Sequence, residues 1–483
     1  MSLGLLTLVS VGKENIYLST DPEITFFKIA YKRYTNFSTE MIAQYFKTTP
    51  DFGRRVTVNI SKNADLLNRC YLYVSLPDII NSNHSILPSG IKKFAWSRKI
   101  GLALVRYVDL EIGGILIERN FGDWLNIWYE LTTNMGQKTG YNKIIGDIEP
   151  LYTFTNGKKS YSLNIPLNFW FCTDSGLSLP LVCMIHNDIK LHVEFNDFNI
   201  CYLESPTNYI NVLDTFCLFQ ENEIITQSVN GITAIGSFVY FDYINQNIYY
   251  NKIQNNFVSN TKYNIIGSTT GFEATINSST IVINDEPYFQ YNTPSLLDAY
   301  IIVNYIYLDN DERFNFINKS HEYLISIVQN ISQQTIYSVN SSYKIPLNNP
   351  NKIIFWRCNL NSINNLFNYT LLNDSSIIEK QQIILNSIER MQLSNYIYYT
   401  NLQIYLNNFC SSQNGINIFS FCLNPLDYQP SGSFNFSQID DMYIQFTLNK
   451  SINYQNTVNV VAYGMQYNIF KISNGLGNLG YVV

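Results

Sequence analysis

Residues 108–112 run Val-Asp-Leu-Glu-Ile, with apolar and polar side chains in alternation, before a Gly-Gly pair at 113–114 and an Ile-Leu-Ile stretch at 115–117. Because successive side chains of a β-strand point to opposite faces of the sheet, the alternation predicts a strand with one buried face. Two adjacent glycines adopt positive φ without strain, as a two-residue hairpin turn requires. The stretch therefore predicts an antiparallel β-hairpin whose return strand ends near Arg119.

The same pattern recurs along most of the chain and predicts an all-β protein with a few short helices. Strands are predicted at residues 56–60, 70–76, 165–171, 189–195, 299–308, 353–356, 396–406, 416–423, 442–448 and 458–463. Helical spacing of the apolar residues predicts three short helices, at residues 21–31, 120–131 and 320–328, with Asn120 as the N-cap of the second.

Length and composition narrow the class of protein. The 483 residues suit two or three domains, and 46% hydrophobic, 15% aromatic and only 14% charged residues favour sheets with large contact surfaces. The net charge of −6 argues against direct contact with nucleic acid, which needs clustered Lys and Arg. Short basic pieces at residues 28–33 and 54–55 could meet a membrane or a scaffold protein, or could lie on solvated sheet edges.

Cysteine spacing and hydropathy indicate the compartment. The eight cysteines form no Cys-x-x-Cys pair, which predicts reduced thiols in a cytosolic environment. Residues 3–11 are not preceded by a positively charged region and are not followed by a small-residue cleavage site, so no signal peptide is expected. The sequence contains no run of eighteen uncharged apolar residues, so no membrane-spanning helix is expected.

Residues 200–295 differ from the rest, because Asn, Ser and Thr are abundant and long periodic runs are few. We interpret them as a folded surface insertion with short strands. The Asn-Ser-Ser sequence at Asn277 makes this residue the candidate modification site, although such sequences arise by chance in an Asn-rich chain.

The sequence contains only weak matches to the residue patterns of catalytic or ligand-binding sites. Of the four histidines only His186 and His192 are near each other, and a metal site needs three or four ligands. Asp309, Asp311 and Glu312 lack the Gly and Glu that an EF-hand loop would require, so we expect a strand end with a local ion pair to Arg313. The sequence therefore predicts no metal site.

Two further patterns have simpler explanations. The Gly-x-Gly-x-x-Gly at 475–480 has only three residues after it, so no helix can receive a pyrophosphate, and we expect a flexible or partner-bound tail. Asp123 and Glu130, beside Trp124 and Trp128, resemble a glycosidase carboxylate pair, but acids on a helix surface explain them better. We predict no catalytic residue and no cofactor.

Residues 424–437, Asn-Pro-Leu-Asp-Tyr-Gln-Pro-Ser-Gly-Ser-Phe-Asn-Phe-Ser, resemble the late segment of major capsid proteins of the nucleo-cytoplasmic large DNA viruses. Apart from the insertion, the resemblance extends over the chain in ordered blocks, at residues 25–37, 63–72, 110–114, 124–128, 166–181, 307–313, 321–324 and 467–480. Ala64 stands where the family commonly has glycine.

The resemblance implies a double jelly roll, that is, two tandem eight-stranded antiparallel β-sandwiches. It implies an N-terminal arm at 1–40, a first jelly roll at 41–317 that includes the 200–295 insertion, and a second at 318–483. It also implies a structural role without enzymatic activity: a homotrimeric, pseudo-hexagonal capsomer of an icosahedral virion shell, assembled in the host cytoplasm.

The implied partners are neighbouring capsomers, minor capsid or scaffold proteins, and an inner viral membrane near the N-terminus. Two alternatives remain open at this level. One is a minor capsid paralogue with the same fold, and the other is a β-sandwich protein that binds or hydrolyses carbohydrate.

Overall fold

The computed structural model describes residue 9 and residues 20–80, 93–220, 223–258, 263–278, 280–282, 293–361, 366–371, 375–390, 392–410, 415–439, 441–454 and 456–481. Two compact units are distinguished, Met1–Phe37 and Ser38–Val483. The second unit contains nearly all of the regular secondary structure.

The elements before the insertion are mostly strands. The strands are β1 (Phe37–Tyr45), β2 (Arg55–Asn59), β3 (Leu66–Leu76), β4 (Ile79–Ile80), β5 (Phe94–Trp96), β6 (Val105–Ile112), β7 (Ile115–Phe121), β8 (Gly157–Lys158), β9 (Tyr161–Pro166), β10 (Leu179–Pro180), β11 (Ile189–Phe195) and β12 (Tyr202–Glu204). The helices are α1 (Ile100–Leu104), α2 (Gly122–Thr132), α3 (Met135–Ile145), α4 (Glu149–Tyr152), α5 (Trp170–Thr173) and α6 (Phe198–Cys201), with 3₁₀ turns at Ser175–Leu177 and Leu181–Cys183.

The insertion and the C-terminal half add the remaining elements. The strands are β13 (Asn208–Asn211), β14 (Ile224–Val229), β15 (Ile232–Asp242), β16 (Asn247–Gln254), β17 (Ile265–Gly267), β18 (Glu273–Ala274), β19 (Ile281–Val282), β20 (Asp298–Leu308), β21 (His321–Ile336), β22 (Asn340–Lys344), β23 (Pro350–Leu360), β24 (Ile378–Leu385), β25 (Ile388–Glu389), β26 (Ser394–Asn395), β27 (Ile416–Ser420), β28 (Phe434–Asn435), β29 (Met442–Leu448), β30 (Val458–Ser473) and β31 (Leu476–Leu479). The helices are α7 (Asn310–Asn318) and α8 (Gln403–Leu406), with a π-helical turn at Tyr398–Leu402 and a 3₁₀ turn at Phe436–Gln438.

Two antiparallel sheets form the first sandwich. One has the order β1-β20-β3-β10, with β9 also pairing with β3, and the other has the order β2-β11-β6-β7. The predicted hairpin is confirmed, because β6 and β7 pair across the glycine turn with Ile112 opposite Ile115. The alternation predicted for residues 70–76 is confirmed as well: Cys70, Leu72 and Val74 are buried and point into the shared core.

Two further antiparallel sheets form the second sandwich. One has the order β21-β30-β23-β27, extended by the short strands β28 and β31, and the other has the order β22-β29-β24-β25, extended by β26. A separate core that includes Trp356, Ile444 and Val460 lies between these two sheets. The all-β class and the few short helices that the sequence predicted are therefore confirmed.

The insertion folds around a core of its own. Within its described residues, seven antiparallel strands have the order β18-β17-β14-β15-β16-β13-β19. Phe238 and Ile248 lie on their buried face and, together with Phe219 of a connecting segment, form a cluster distinct from the cores of both sandwiches. The prediction that this region is folded is confirmed, and its sheet is far more extensive than the sequence pattern indicated.

Two secondary-structure predictions in the C-terminal half are wrong. The helix expected at 320–328 is part of the long strand β21, whose apolar residues are spaced irregularly because parts of both faces are buried. The strand expected at 396–406 is instead the π-helical turn followed by α8.

Two predictions in the N-terminal half are also wrong. The helix expected at 21–31 is absent from the described residues, since an isolated short helix without packing partners is unstable. The strand expected at 165–171 ends at Pro166, and Trp170 begins α5. The helix at 122–132 is confirmed, but its N-cap is Phe121, and Asn120 belongs to β7.

The C-terminal tail is held by the chain itself, contrary to the sequence prediction. β31 pairs with β30, with Leu479 opposite Phe470. His186 N–H donates to Gly475 O at 3.0 Å, and Asn187 Nδ2 donates to Gly477 O at 3.1 Å. Among the described residues no helix is long and apolar enough to cross a bilayer.

Candidate functional site: the contact between the two sandwiches

Helix α2 lies where the two sandwiches meet. Its first residue, Gly122, packs closely against two backbone carbonyl groups. A Cβ atom on Gly122 would lie 2.2 Å from Val105 O and 2.4 Å from Leu102 O, so only glycine fits there. The helix then buries Trp124, whose ring centroid lies 5.2 Å from that of Phe355 and 5.4 Å from that of Tyr463. Both partners belong to the second sandwich.

The sheet that contains β23 and β30 is buried on both faces. Ile354 and Trp356 of β23 point into the core of the second sandwich, whereas Ile353 and Phe355 join the core of the first. Continuous burial along such a strand is typical of a sheet covered on both sides. The two sandwiches therefore share one uninterrupted apolar contact and form a single block.

A buried ion pair crosses this contact. Asp123 of α2 accepts hydrogen bonds from Arg357 Nε at 2.8 Å, Tyr369 Oη at 2.6 Å and Tyr463 Oη at 3.0 Å. Burial opposes the charge on Arg357, but the Asp123 carboxylate more than compensates and raises the pKa of the guanidinium. Burial, together with the Asp123 charge, raises the pKa of both tyrosines. The pair fixes α2 on the second sandwich.

A second polar cluster continues along the same helix. Lys99 Nζ donates to Glu130 at 2.5 Å and to Asn126 at 2.7 Å, and Asn126 Nδ2 donates to the Tyr369 hydroxyl at 3.0 Å. Lys138 also pairs with Glu130, at 3.0 Å. Burial lowers the pKa of Lys99, while the two lysines hold the pKa of Glu130 below its usual range despite burial. The network is almost completely satisfied, as a buried polar network must be.

The carboxylates considered as a glycosidase pair have structural roles. Asp123 is bound to Arg357 and Glu130 to Lys99, and both lie in the contact rather than on a helix surface as predicted. The buried role was missed because Asp123 and Arg357 are 234 residues apart. A charged Arg inside the apolar run of residues 353–358 was the available signal, since a buried charge requires a partner.

The histidines and the acidic segment have local roles. His192 contacts Thr57 at 2.8 Å and Glu111 at 3.0 Å across the sheet. Among the described residues no group of His, Cys, Asp and Glu could hold a metal ion. Asp309 directly follows the end of β20, as predicted, and also caps α7. Arg313 pairs with Asp65 at 2.8 Å, so the expected local ion pair is wrong.

Asn277 lies on the exposed surface of the insertion. Its Nδ2 donates to Asn211 Oδ1 at 2.7 Å, and its backbone N–H donates to Asn211 O at 2.9 Å. Its modification stays a prediction.

Two segments of the chain expose large apolar side chains to solvent. In the arm, the side chains of Phe26, Phe27 and Ile29 are 87%, 98% and 95% exposed, and the only charges at residues 24–37 are three basic ones. In the second sandwich, residues 391–426 contain no Asp, Glu, Lys or Arg, yet Tyr405 and Leu423 are 79% and 80% exposed. Large exposed apolar side chains on charge-poor surfaces indicate contact with partners.

Comparisons with known families agree with this architecture. The model of the major capsid protein N-terminus matches residues 25–245, and that of the large eukaryotic DNA virus major capsid protein matches residues 312–478. Probable capsid protein 4 of Acanthamoeba polyphaga mimivirus is 35% identical over 100% of this chain and 99% of its own length. The chain belongs to the large eukaryotic DNA virus major capsid protein family. It is therefore a structural capsid protein and not an enzyme.

Other relatives extend the agreement. The major capsid protein of Pyramimonas orientalis virus is 30% identical over the full length of both chains. The quasi-atomic model of the PBCV-1 virus capsid superposes with a TM-score of 0.65 at 20% identity, covering 95% of this chain and 100% of that one. The Faustovirus major capsid protein gives 0.65 at 12% identity, covering 96% and 94%. These likenesses confirm the double jelly-roll fold, and the family excludes the carbohydrate-active alternative.

Proposed function

We propose that three copies of this chain form a homotrimeric capsomer with a pseudo-hexagonal outline that tiles an icosahedral virion shell. The observation that carries the proposal is the shared core of the two sandwiches. Because each copy is a block of two similar sandwiches, three copies around a threefold axis present six sandwiches. Such a capsomer fills a hexagonal lattice position with one gene product.

The same proposal divides the chain into an arm at 1–40, a first jelly roll at 41–317 and a second at 318–483. The position of α7, between the last strand of the first sandwich and the first strand of the second, supports the second boundary. The resemblance supports the first boundary.

The contact between subunits should be larger and more apolar than the contact between capsomers. Obligate interfaces usually bury more than about 2,000 Å², and transient ones bury less. The exposed Tyr405 and Leu423, in a segment whose sequence has no charged residue, are suited to the obligate contact. Trimers then form first, and errors in the lattice correct by dissociation of whole capsomers.

Native mass spectrometry of the purified chain tests the proposal. We expect a species of three times 55.8 kDa, about 167 kDa, that persists on dilution. A chain that remains monomeric at micromolar concentration would contradict it. Abundance of the chain in purified particles separates the bulk shell protein from a minor paralogue.

The insertion is proposed to face outward from the trimer, where a separately folded module does not disturb the lattice. Its own core supports this placement. On the outer surface, Asn277 would be accessible to modification. Intact-mass and peptide analysis of virion protein, with Asn277→Gln as the control, would show a modified peptide, and an unmodified peptide would contradict the proposal.

The arm is proposed to contact the inner viral membrane. Its exposed aromatic residues and the basic Lys28, Lys32 and Arg33 match an anionic lipid surface. We expect the full chain to float with vesicles that contain 30% phosphatidylserine and not with neutral vesicles. A triple Lys/Arg→Gln variant should lose flotation, and flotation of neither protein would favour a minor capsid or scaffold protein as the partner. Assembly in the host cytoplasm is part of the same proposal.

A further inference from the structure

A cavity of about 180 Å³, partly open to solvent, lies at the contact between the two sandwiches, beside the loop that carries the family-like sequence. The first sandwich contributes Trp128 and Trp170, the second contributes Val328 and Met465, and residues 425–428 cover one side. Ser431 ties down the base of that loop, since its hydroxyl accepts from Asn424 N–H at 2.9 Å. Cavities of about 150 Å³ with apolar walls hold molecules the size of benzene.

Two buried ionisable side chains line this cavity, whose walls also include the two tryptophans, Val328 and Met465. Lys352 is 5% exposed, and within the described residues its Nζ has no hydrogen bond or ion pair; the Tyr467 ring centroid lies 5.6 Å away. Glu118 is 4% exposed; Val328 N–H donates to its Oε1 at 3.3 Å, while its Oε2 has no hydrogen-bond partner. A buried polar atom without a partner, such as Glu118 Oε2, is rare and costly.

Lys352 and Glu118 each lie at or directly after a β-bulge. Lys352 lies at a β-bulge, because Asn351 pairs with Gln466 while Ile353 pairs with the adjacent Met465. Glu118 follows a second bulge in the pairing of β6 and β7. Bulges redirect side chains and are common beside functional sites.

The protonation states of the two groups define a ligand. Burial raises the pKa of Glu118 well above its usual range, which favours the protonated carboxyl group as a hydrogen-bond donor. Burial lowers the pKa of Lys352 to about 8, so the amine remains mostly protonated at pH 7. An ammonium and a carboxylic O–H together complement one carboxylate, whose apolar remainder would contact the tryptophans.

We propose that this cavity binds a small apolar monocarboxylate, with its carboxylate between Lys352 and Glu118. Asp174 and Asp427 line the cavity with exposed side chains, so water screens them, but they disfavour a dianion such as phosphate. Because the cavity is formed by both sandwiches, binding links them and stabilises the folded chain.

Thermal unfolding of the full chain at pH 7 with benzoate as the probe tests the proposal. We expect benzoate to raise the midpoint in a saturable manner, and benzamide and inorganic phosphate to leave it unchanged. Lys352→Met should abolish the benzoate effect, whereas Lys471→Met, at an exposed ion pair of the same sandwich, should retain it. No shift with benzoate, or equal shifts with benzamide or phosphate, would overturn the proposal.

A second variant keeps the proposal testable if Lys352→Met does not fold. Val328→Trp should fill the cavity while Lys352 and Glu118 both remain. Saturation-transfer NMR should then show benzoate contact with the parent protein and none with this variant. Equal transfer to both proteins would place benzoate elsewhere and overturn the proposal.

Discussion

Replacing Asp123 by Asn tests directly whether the buried ion pair holds the two sandwiches together. The amide has nearly the same shape as the carboxylate and still accepts a hydrogen bond. It removes the negative charge that Arg357 contacts at 2.8 Å, where the two side chains are only 16% and 9% exposed. The variant therefore leaves a buried guanidinium without a counter-charge.

The expected cost follows from that burial. Removing one partner of a buried ion pair costs about 3–5 kcal/mol, because the remaining charge stays desolvated. Unfolding entropy of about 2.1 cal/mol/K per residue gives about 1 kcal/mol/K for a chain of this length. The midpoint of thermal unfolding should therefore fall by about 3–5 °C if the body unfolds cooperatively.

Differential scanning calorimetry of four proteins separates the pair from its surroundings. The Asp123→Asn/Arg357→Met double variant should recover about half of the loss, because no unpaired charge remains. Glu322→Gln, at the exposed pair with Lys471, should change stability by at most about 1 kcal/mol. An Asp123→Asn midpoint equal to that of the parent would refute this assignment.

Three further changes have definite outcomes. Trp170→Ala, which removes a ring 5.6 Å from that of Phe470, should cost about 3–5 kcal/mol, and unchanged calorimetric stability would contradict its burial. Replacing residues 206–295 with a linker of about ten Gly and Ser residues should leave the trimer intact on size-exclusion chromatography, because the insertion has its own core. Loss of soluble trimer would show that the two sandwiches need the insertion in order to fold. Because burial raises the pKa of Glu118, its retained proton contributes stability that is present below pH 4.5 and is lost as pH rises. The unfolding midpoint of Glu118→Gln, which does not titrate, should therefore rise relative to that of the parent from pH 4 to pH 8. A difference in midpoint that stays constant with pH would count against the raised pKa.

The sequence was sufficient where a strand buries one face. The alternation at 108–112 and 70–76, and the glycine pair between β6 and β7, predicted elements that the structure contains. The helix around Trp124 was predicted from its spacing, because α2 buries a broad stripe of apolar residues.

The sequence was insufficient where burial depends on distant elements. β21 lacks a clear period of two, and its residues 324–328 imitate helical spacing. Local alternation also failed at 396–406, where exposed apolar side chains on helical turns resemble a strand. The Asp123–Arg357 pair and the cavity at Lys352 depend on contacts between the sandwiches that no local pattern encodes.

Electron cryo-microscopy of the purified particle formed by this chain would show directly how the sandwiches are arranged. We expect a threefold particle in which six β-sandwiches, two from each copy, surround the axis at steps of nearly 60° and give a hexagonal outline. A reconstruction in which the two sandwiches of a copy are separated, or in which the copies form a twofold or open arrangement, would contradict this expectation.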